Sequence, residues 1–191
     1  MPKRLLLLFF AAFLLLGTHP VFAAIYIDKD NAFQMTTPPN WTVMEQYTVT
    51  GKTIVLTPSG FGTTAIIASV APVDPLDDSH KSFADYNEAE LTELIDGIKQ
   101  EIFHTIPSVT FEKSQIRLFG NNKALLLNYR DKEKKYCLAE FLQQDRLYMF
   151  IFSAPPQEYQ ETVPPFFQML TSIQFLAEAG PNQPSQDIPL I

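Results

Sequence analysis

The sequence predicts an α+β fold in which one antiparallel sheet is covered on both of its faces. Strand-like patterns occur at both ends of the domain, and one long amphipathic helix pattern lies between them. Two of the strand patterns, Ala124–Tyr129 and Leu147–Phe152, are apolar on both alternating faces. Strands of that kind belong to a sheet that is buried on its two sides. The long helix is expected to form one of the two covers.

The first group of strands is predicted between Tyr26 and Val73. Turn residues at Asp30 and Asn31, and again at Gly51, separate short alternating segments, which indicates consecutive antiparallel hairpins. The predicted strands are Tyr26–Asp28, Phe33–Thr36, Trp41–Tyr47, Thr53–Thr57 and Ala65–Val73.

One amphipathic helix is predicted from Phe83 to Phe103. Ser82 and Asp85 match the S-x-x-D capping pattern at its start. Apolar residues then recur at helical spacing on one face. These residues are Leu91, Leu94, Ile95, Ile98 and Ile102.

A four-stranded meander and a short second helix are predicted after Pro107. The meander strands are Val109–Phe119, Ala124–Arg130, Tyr136–Gln143 and Leu147–Phe152. Thr162 is expected to cap the second helix, with Pro164 and Pro165 in its first turn. The segment Ile173–Leu176 is then predicted to rejoin the sheet.

The N-terminus has the three zones of a secretory signal peptide. Lys3 and Arg4 form a basic start, Leu5–Leu16 forms an apolar run, and small residues follow at Val21 and Ala23. We expect cleavage between Ala23 and Ala24. The apolar run covers 12 residues, fewer than the ~20 that a spanning helix needs. The chain is thus divided into a signal peptide (1–23), one α/β domain (24–176) and a disordered tail rich in Pro and Gln (177–191).

The charge balance restricts the classes of partner. Without Lys3 and Arg4, 12 basic residues face 21 acidic residues, a net charge of −9. Nucleic acids and anionic membranes attract clusters of Lys and Arg, so neither is the expected partner. A basic protein or a cation fits this charge. The single cysteine, Cys137, excludes a disulfide within the chain, so the core has to hold by packing.

One acidic loop is a candidate metal site. Its carboxylates and imidazole are ligand types for a hard or borderline cation. The candidate ligands are Asp74, Asp77, Asp78 and His80. The loop lacks the glycine and the closing glutamate of an EF-hand, and a solvated loop before a helix explains the acids better. We therefore assign no metal and no cofactor.

Candidate nucleophiles and bases are few. Catalysis by a histidine base could use only His80 or His104 of the exported chain, and no G-x-S-x-G motif is present. Cys137 alternates with apolar neighbours on a predicted strand, which favours a buried, inert thiol. The Gly60–Gly62 segment precedes a strand, so it is expected to be a hairpin loop and not a phosphate cradle. No catalytic residues are assigned, and the binding residues stay unknown at this stage.

Two segments and the order of the elements resemble the PsbP-like and DcrB-like proteins. Phe33–Trp41 has the sequence F-Q-M-T-T-P-P-N-W, and Met169–Phe175 has the sequence M-L-T-S-I-Q-F. The likeness extends from Tyr26 to Phe175. It implies a three-layer α/β/α sandwich with a central antiparallel sheet, in which Phe33 and Trp41 pack in the core.

The resemblance also implies a scaffold for binding or assembly rather than chemistry, because the family includes extrinsic photosystem subunits and a Ran-binding factor. Together with the signal peptide, it implies an exported, soluble protein of the bacterial envelope, periplasmic or secreted, that binds a protein partner without catalysing a reaction. Many DcrB-like members are lipoproteins. This chain has no cysteine at the cleavage site, so no stable membrane anchor is expected. The alternative is a carrier of a small ligand or a divalent cation.

Overall fold

A computed structural model of the protein describes residues 23–49, 51–60, 62–73, 82–143 and 145–176. These residues include two helices, α1 (Glu88–Thr105) and α2 (Pro156–Thr171). The ten strands are β1 (Ile25–Asp28), β2 (Phe33–Thr36), β3 (Trp41–Thr48), β4 (Gly51–Pro58), β5 (Ala65–Pro72), β6 (Thr110–Phe119), β7 (Asn122–Arg130), β8 (Lys135–Gln143), β9 (Arg146–Ala154) and β10 (Gln174–Phe175).

Seven strands form one antiparallel sheet in the order β3-β4-β5-β9-β8-β7-β6. The later predicted hairpin strands, from Trp41 to Val73, and the predicted meander are confirmed as its two halves. The halves join where β5 pairs with β9, from Ala65 opposite Ser153 to Pro72 opposite Arg146. This is the one pairing in the sheet between strands that are not consecutive, and no local turn signal specifies it.

The opening hairpin forms a second, three-stranded sheet in the order β1-β2-β10. The prediction that Ile173–Leu176 rejoins the central sheet is wrong, because β10 pairs with β2. The Leu176 amide also donates to the Ala32 carbonyl at 2.7 Å. The physical reason is that Phe33 and Phe175 both point into the aromatic core, which they reach from the small sheet.

The three-layer arrangement is confirmed. Helix α1 lies on one face of the central sheet, over strands β6–β9, while α2 and the small sheet lie on the other face. Strands β7 and β8 bury side chains on both faces, and the burial of β7 agrees with the apolar pattern of Ala124–Tyr129. Strand β9 buries the side chains of its α2 side and leaves Leu147, Met149 and Ile151 on its α1 side partly buried. The core on the α2 side is aromatic, and Phe33 and Phe166 lie fully buried within it, whereas Trp41 is half-buried and packs against its rim.

Helix α1 begins later than predicted. Asn87 is its N-cap: its side chain accepts from the Ala89 and Glu90 amides, and the Glu90 side chain accepts from the Asn87 amide. The Ser82 amide donates to the Asp85 carboxylate as expected, but the Ser82 hydroxyl accepts from the Ala84 amide, and the Asp85 amide donates to the Ser82 carbonyl. These bonds close an isolated turn ahead of the helix. The S-x-x-D pattern identified a real local structure and misplaced the helix start, because Asn87 with Glu90 offers a complete capping box.

Helix α2 begins at Pro156, six residues before the predicted cap at Thr162. Thr162 lies inside the helix and donates its hydroxyl to the Glu158 carbonyl at 2.7 Å. Pro164 and Pro165 are interior residues, although each removes a helical hydrogen bond. Burial of one helix face offsets that cost. The buried residues are Thr162, Val163, Phe166, Met169 and Leu170.

Candidate binding surface

A row of apolar side chains crosses the central sheet on the side of α1. The strand register places these side chains directly opposite one another on six neighbouring strands of the sheet, from β3 to β7. The row consists of Met44, Val55, Ile67, Ile151, Leu138 and Leu127. Its two ends differ in burial, since Leu127 is 1% exposed and Met44 is 46% exposed.

Helix α1 covers only part of this face. The apolar side chains of α1 pack with residues of β6, β7, β8 and β9 and with Val73 at the end of β5. The part formed by β3, β4 and β5 has no helix over it among the described residues, and Ile67 there is 39% exposed. We call this part, with Met44, Val55 and Ile67, the open sheet half. Exposed apolar side chains that adjoin one another on an uncovered sheet face make this part a candidate interaction site.

The open sheet half ends at β3, an edge strand with little protection against pairing. Its eight residues, W-T-V-M-E-Q-Y-T, contain no proline and a single charge, that of Glu45. Edge strands usually carry lysines, prolines or bulges that prevent pairing with another chain.

The opposite edge, β6, has such protection. Its pairing with β7 is irregular between Phe111 and Ser114, and Glu112 and Lys113 lie within the irregular stretch. Glu112 also pairs with Arg130 at 3.6 Å. The two edges of one sheet therefore differ, and β3 is the edge that is open to pairing.

A cluster of charged and phenolic side chains lies on the α2 side of β3. We call it the Lys52 cluster, and its members are Tyr26, Asp28, Asp30, Glu45, Tyr47 and Lys52. Lys52 Nζ lies 3.1 Å from Asp28 Oδ1, 3.1 Å from Glu45 Oε1 and 3.6 Å from Asp30 Oδ2. The ion pairs join the small sheet to the β3–β4 hairpin.

Hydrogen bonds favour the charged forms of Glu45 and Lys52. Tyr26 donates to Glu45 at 2.5 Å and Tyr47 donates to the same carboxylate at 2.7 Å. These two bonds, followed by the bond from Lys52, lower the pKa of Glu45 to about 2. Burial opposes the charge of Lys52, but the hydrogen bonds to Asp28 and Glu45 outweigh it and raise the pKa of Lys52. With three carboxylates and one ammonium, the acidic and basic side chains of the cluster carry a net charge of −2.

A buried glutamate lies on the α1 side of the sheet, in the row next to the apolar one. Glu140, at the centre of β8, is 4% exposed and stands between Leu125 of β7 and Met149 of β9. Desolvation raises the pKa of Glu140 to about 7, and the carboxylate of Glu101 on α1 adds to the shift. No side chain in the described ranges forms a hydrogen bond or an ion pair with Glu140.

A small polar cleft lies at the C-terminal end of β5, next to Pro72. It has a volume of about 270 Å³, and Arg146 donates to the Asp30 carbonyl at its edge at 3.3 Å. The lining residues are Asp30, Asn31, Val70, Pro72, Asp145 and Arg146. The predicted acidic loop follows two residues after Pro72, but Asp74, Asp77, Asp78 and His80 lie outside the described residues. Within the described residues, no three His, Cys, Asp or Glu side chains converge to hold a metal.

The other residues singled out from the sequence have structural roles. His104 lies in the last turn of α1 with Nδ1 2.7 Å from the Gln100 carbonyl. Gly60 lies in the β4–β5 loop with φ of +86°, a conformation that suits glycine, and no helix follows it. Cys137 is fully buried in the α2-side core, and burial raises the pKa of its thiol to about 12.

The buried thiol leads to a direct prediction. Cys137 of the native protein should react with a thiol reagent such as Ellman's reagent only at the rate of global unfolding, because both its burial and its raised pKa suppress the thiolate. Labelling in increasing urea should follow the unfolding curve measured by circular dichroism. Rapid labelling in the absence of urea would contradict the buried position.

Sequence reasoning missed the open sheet half, the Lys52 cluster and Glu140. Glu140 had a local signal, because it is the one acidic residue within the otherwise largely apolar strand K-Y-C-L-A-E-F-L-Q. The Lys52 cluster had none, since Asp28 and Lys52 come from different sheets. None of the helices in the described ranges is long and apolar enough to cross a membrane.

Solved structures share this architecture. The solution structure of cyanobacterial PsbP (CyanoP) from Synechocystis sp. PCC 6803 superposes with a TM-score of 0.61 at 13% identity, over 83% of this chain and 95% of that one. A protein from Bacteroides thetaiotaomicron VPI-5482 superposes with a TM-score of 0.53 at 11% identity, over 82% of this chain and 49% of that one. LpqN, involved in cell envelope biogenesis of Mycobacterium tuberculosis, gives a TM-score of 0.43 at 8% identity, over 83% and 88% of the two chains.

No protein-family model matches the sequence, and no curated protein matches it. At the identities of the structural matches, the likeness establishes a fold and leaves function to the surface of this chain. The fold is PsbP-like, as the resemblance of Phe33–Trp41 and Met169–Phe175 implied.

Proposed function

We propose that this chain with a PsbP-like fold is an exported, soluble, non-enzymatic binding or assembly protein of the bacterial cell envelope. The observation that supports binding is the open sheet half. There the apolar row continues beyond the part of the sheet that α1 covers and ends at the edge strand β3. A sheet edge and an exposed apolar face are the two surfaces on which proteins add a partner. The signal peptide predicted at residues 1–23 supports export.

The chemistry of the described side chains agrees with a non-enzymatic role. Cys137 is buried with a raised pKa, and the His104 ring is engaged with the backbone of its own helix. Glu140 has a pKa near neutrality, as a general acid would, but its side chain is buried.

Export can be tested through the mature N-terminus. We expect the protein purified from the envelope or medium of the source cells to begin at Ala24, as determined by N-terminal sequencing. Among the described residues, the first backbone group in a hydrogen bond is the Ala24 carbonyl, which accepts from the Thr37 amide at 2.8 Å, and cleavage before Ala24 keeps this bond. A mature protein that retains residues 1–23 would contradict the proposed cleavage.

Binding can be tested by capture from envelope extract. The mature chain should retain a discrete partner, and the double variant Met44→Lys with Ile67→Lys should lose it, because two ammonium groups would stand on the open sheet half. Leu118→Lys is the matched control, since Leu118 is 60% exposed on β6, at the other edge of the sheet. Equal capture by the double variant and the wild type would contradict this surface.

The second candidate function is carriage of a small ligand, which the cleft beside Pro72 favours, or of a divalent cation, for which the acidic loop predicted after Pro72 supplies candidate carboxylates. The volume of the cleft is close to the lower limit of ~300 Å³ for ligand sites. Calorimetry with Ca²⁺, Mg²⁺ and Zn²⁺ tests the cation version, comparing the wild type with Asp77→Ala combined with Asp78→Ala. Binding heat that the double variant abolishes would support it, and absence of heat in the wild type would rule it out.

A further inference from the structure

We infer that β3 accepts an extended segment of a partner protein as an added strand, and that this segment alternates apolar and basic residues. The inference rests on the proposed binding function and specifies the partner's chemistry. Strand addition derives affinity from backbone hydrogen bonds and specificity from the side chains on each face of the new strand. The structure defines both faces.

The backbone of β3 is suited to this role. Between Thr42 and Tyr47 it pairs with β4 on one side, and no described strand lies on its other side. The strand is eight residues long and every residue is partly or largely exposed. An added strand would therefore pair with the backbone donors and acceptors of alternate β3 residues, those directed away from β4.

The two faces of β3 favour different side chains on the added strand. On the α1 side, Met44 continues the apolar row through Val55 and Ile67, so an apolar residue next to Met44 would extend that row by one strand. On the α2 side, Glu45 belongs to the Lys52 cluster with its net charge of −2. A lysine or arginine next to Glu45 would reduce that charge. Because successive residues of a strand point to opposite faces, the matching segment alternates apolar and basic residues.

A second copy of this chain fits less well than a basic partner. Pairing β3 with β3 would place a second Lys52 cluster at the same edge, and each cluster carries a net negative charge. The whole chain has a net charge of −7, so two copies repel each other while a basic segment is attracted. Charge complementarity thus selects a basic segment over self-association.

The test uses a defined peptide and the full mature chain. The probe is a nine-residue peptide that alternates valine and lysine, capped at both ends and labelled with fluorescein. One control peptide has glutamate in place of each lysine, and another has proline at the central position. Fluorescence anisotropy measures affinity, and hydrogen exchange measures which backbone amides become protected.

We expect the probe to bind and to slow exchange of amides in β3 while those in β6 are unchanged. The proline peptide should bind about tenfold more weakly or worse, because proline removes a ladder hydrogen bond and its ring obstructs the pairing. The glutamate peptide should not bind detectably. Glu45→Gln should lower the affinity for the probe several fold. Glu112→Gln on β6, the matched control, should leave that affinity unchanged.

Several outcomes would overturn strand addition. Equal affinity for the proline peptide would show attraction by charge alone, and equal affinity for the glutamate peptide would remove the charge argument. A dimer in light scattering, with β3 amides protected in the absence of peptide, would identify a second copy as the occupant. Partner capture that still depends on Met44 and Ile67 while the peptide fails would leave the proposed function intact and reject only this inference.

Discussion

Phe33→Ala is expected to lower the free energy of unfolding by about 3–5 kcal/mol, the usual cost of truncating a fully buried phenylalanine. Phe33 is 0% exposed and joins the two sheets through edge-to-face contacts, with ring centroids 5.8 Å from Tyr148 and 5.9 Å from Phe150. The cavity would open where the small sheet meets the core. Urea unfolding followed by circular dichroism measures the change.

Phe103→Ala is the matched control for Phe33→Ala. Phe103 is 52% exposed on α1, so its truncation should cost less than about 1 kcal/mol. If the two variants were equally stable, Phe33 would not lie in a close-packed core, and the docking of the small sheet onto the central sheet would be wrong.

Glu140→Gln is expected to raise the free energy of unfolding by about 2–3 kcal/mol at pH 8. Burial raises the pKa of Glu140 from 4.5 to about 7 in the folded protein. Between pH 4.5 and about pH 7 the folded protein binds more protons than the unfolded chain, so the free energy of unfolding falls as the pH rises through this range. Above about pH 7, the ionised Glu140 lowers the free energy of unfolding by about 3 kcal/mol, since each unit of pKa shift corresponds to about 1.4 kcal/mol.

The pH profile separates this effect from ordinary packing. The stability of the wild type should decline between pH 5 and pH 7.5, and Glu140→Gln should flatten that part of the profile, because its amide stays neutral. At pH 4.5 the two proteins should be nearly equally stable. Glu112→Gln, which changes an exposed glutamate, should keep the wild-type profile. A wild-type slope that survives Glu140→Gln would mean that another group titrates in this window.

The parts of the fold that were predictable from the sequence are those that local patterns determine. The hairpins and the meander follow from alternation and turn residues, and the two-sided apolar patterns of β7 and β9 correctly indicated a sheet between two layers. The β5–β9 pairing and the pairing of β10 with β2 were not predictable, since both join strands far apart in sequence. Both helix starts were misplaced. Helix α1 begins at the complete capping box of Asn87 with Glu90, and tertiary burial maintains α2 through Pro164 and Pro165.

The candidate site was harder to predict than the fold. An open sheet half exists only because α1 covers β6–β9 and stops short of β3, and no property of β3 alone reveals how far a distant helix extends. The Lys52 cluster likewise depends on how the small sheet docks. Glu140 was visible as an isolated acid in an apolar strand, but its burial depends on α1 lying above β8.

Site-specific crosslinking in the envelope tests the central claim most directly. A photo-crosslinking amino acid placed at Ile67 of the full chain lies on the open sheet half, and the same group at Leu118 lies on β6, at the opposite edge. We predict that irradiation of intact cells yields one discrete adduct with a protein partner from position 67 and none from position 118. No adduct from position 67, or the same adducts from both positions, would contradict a binding function at this surface.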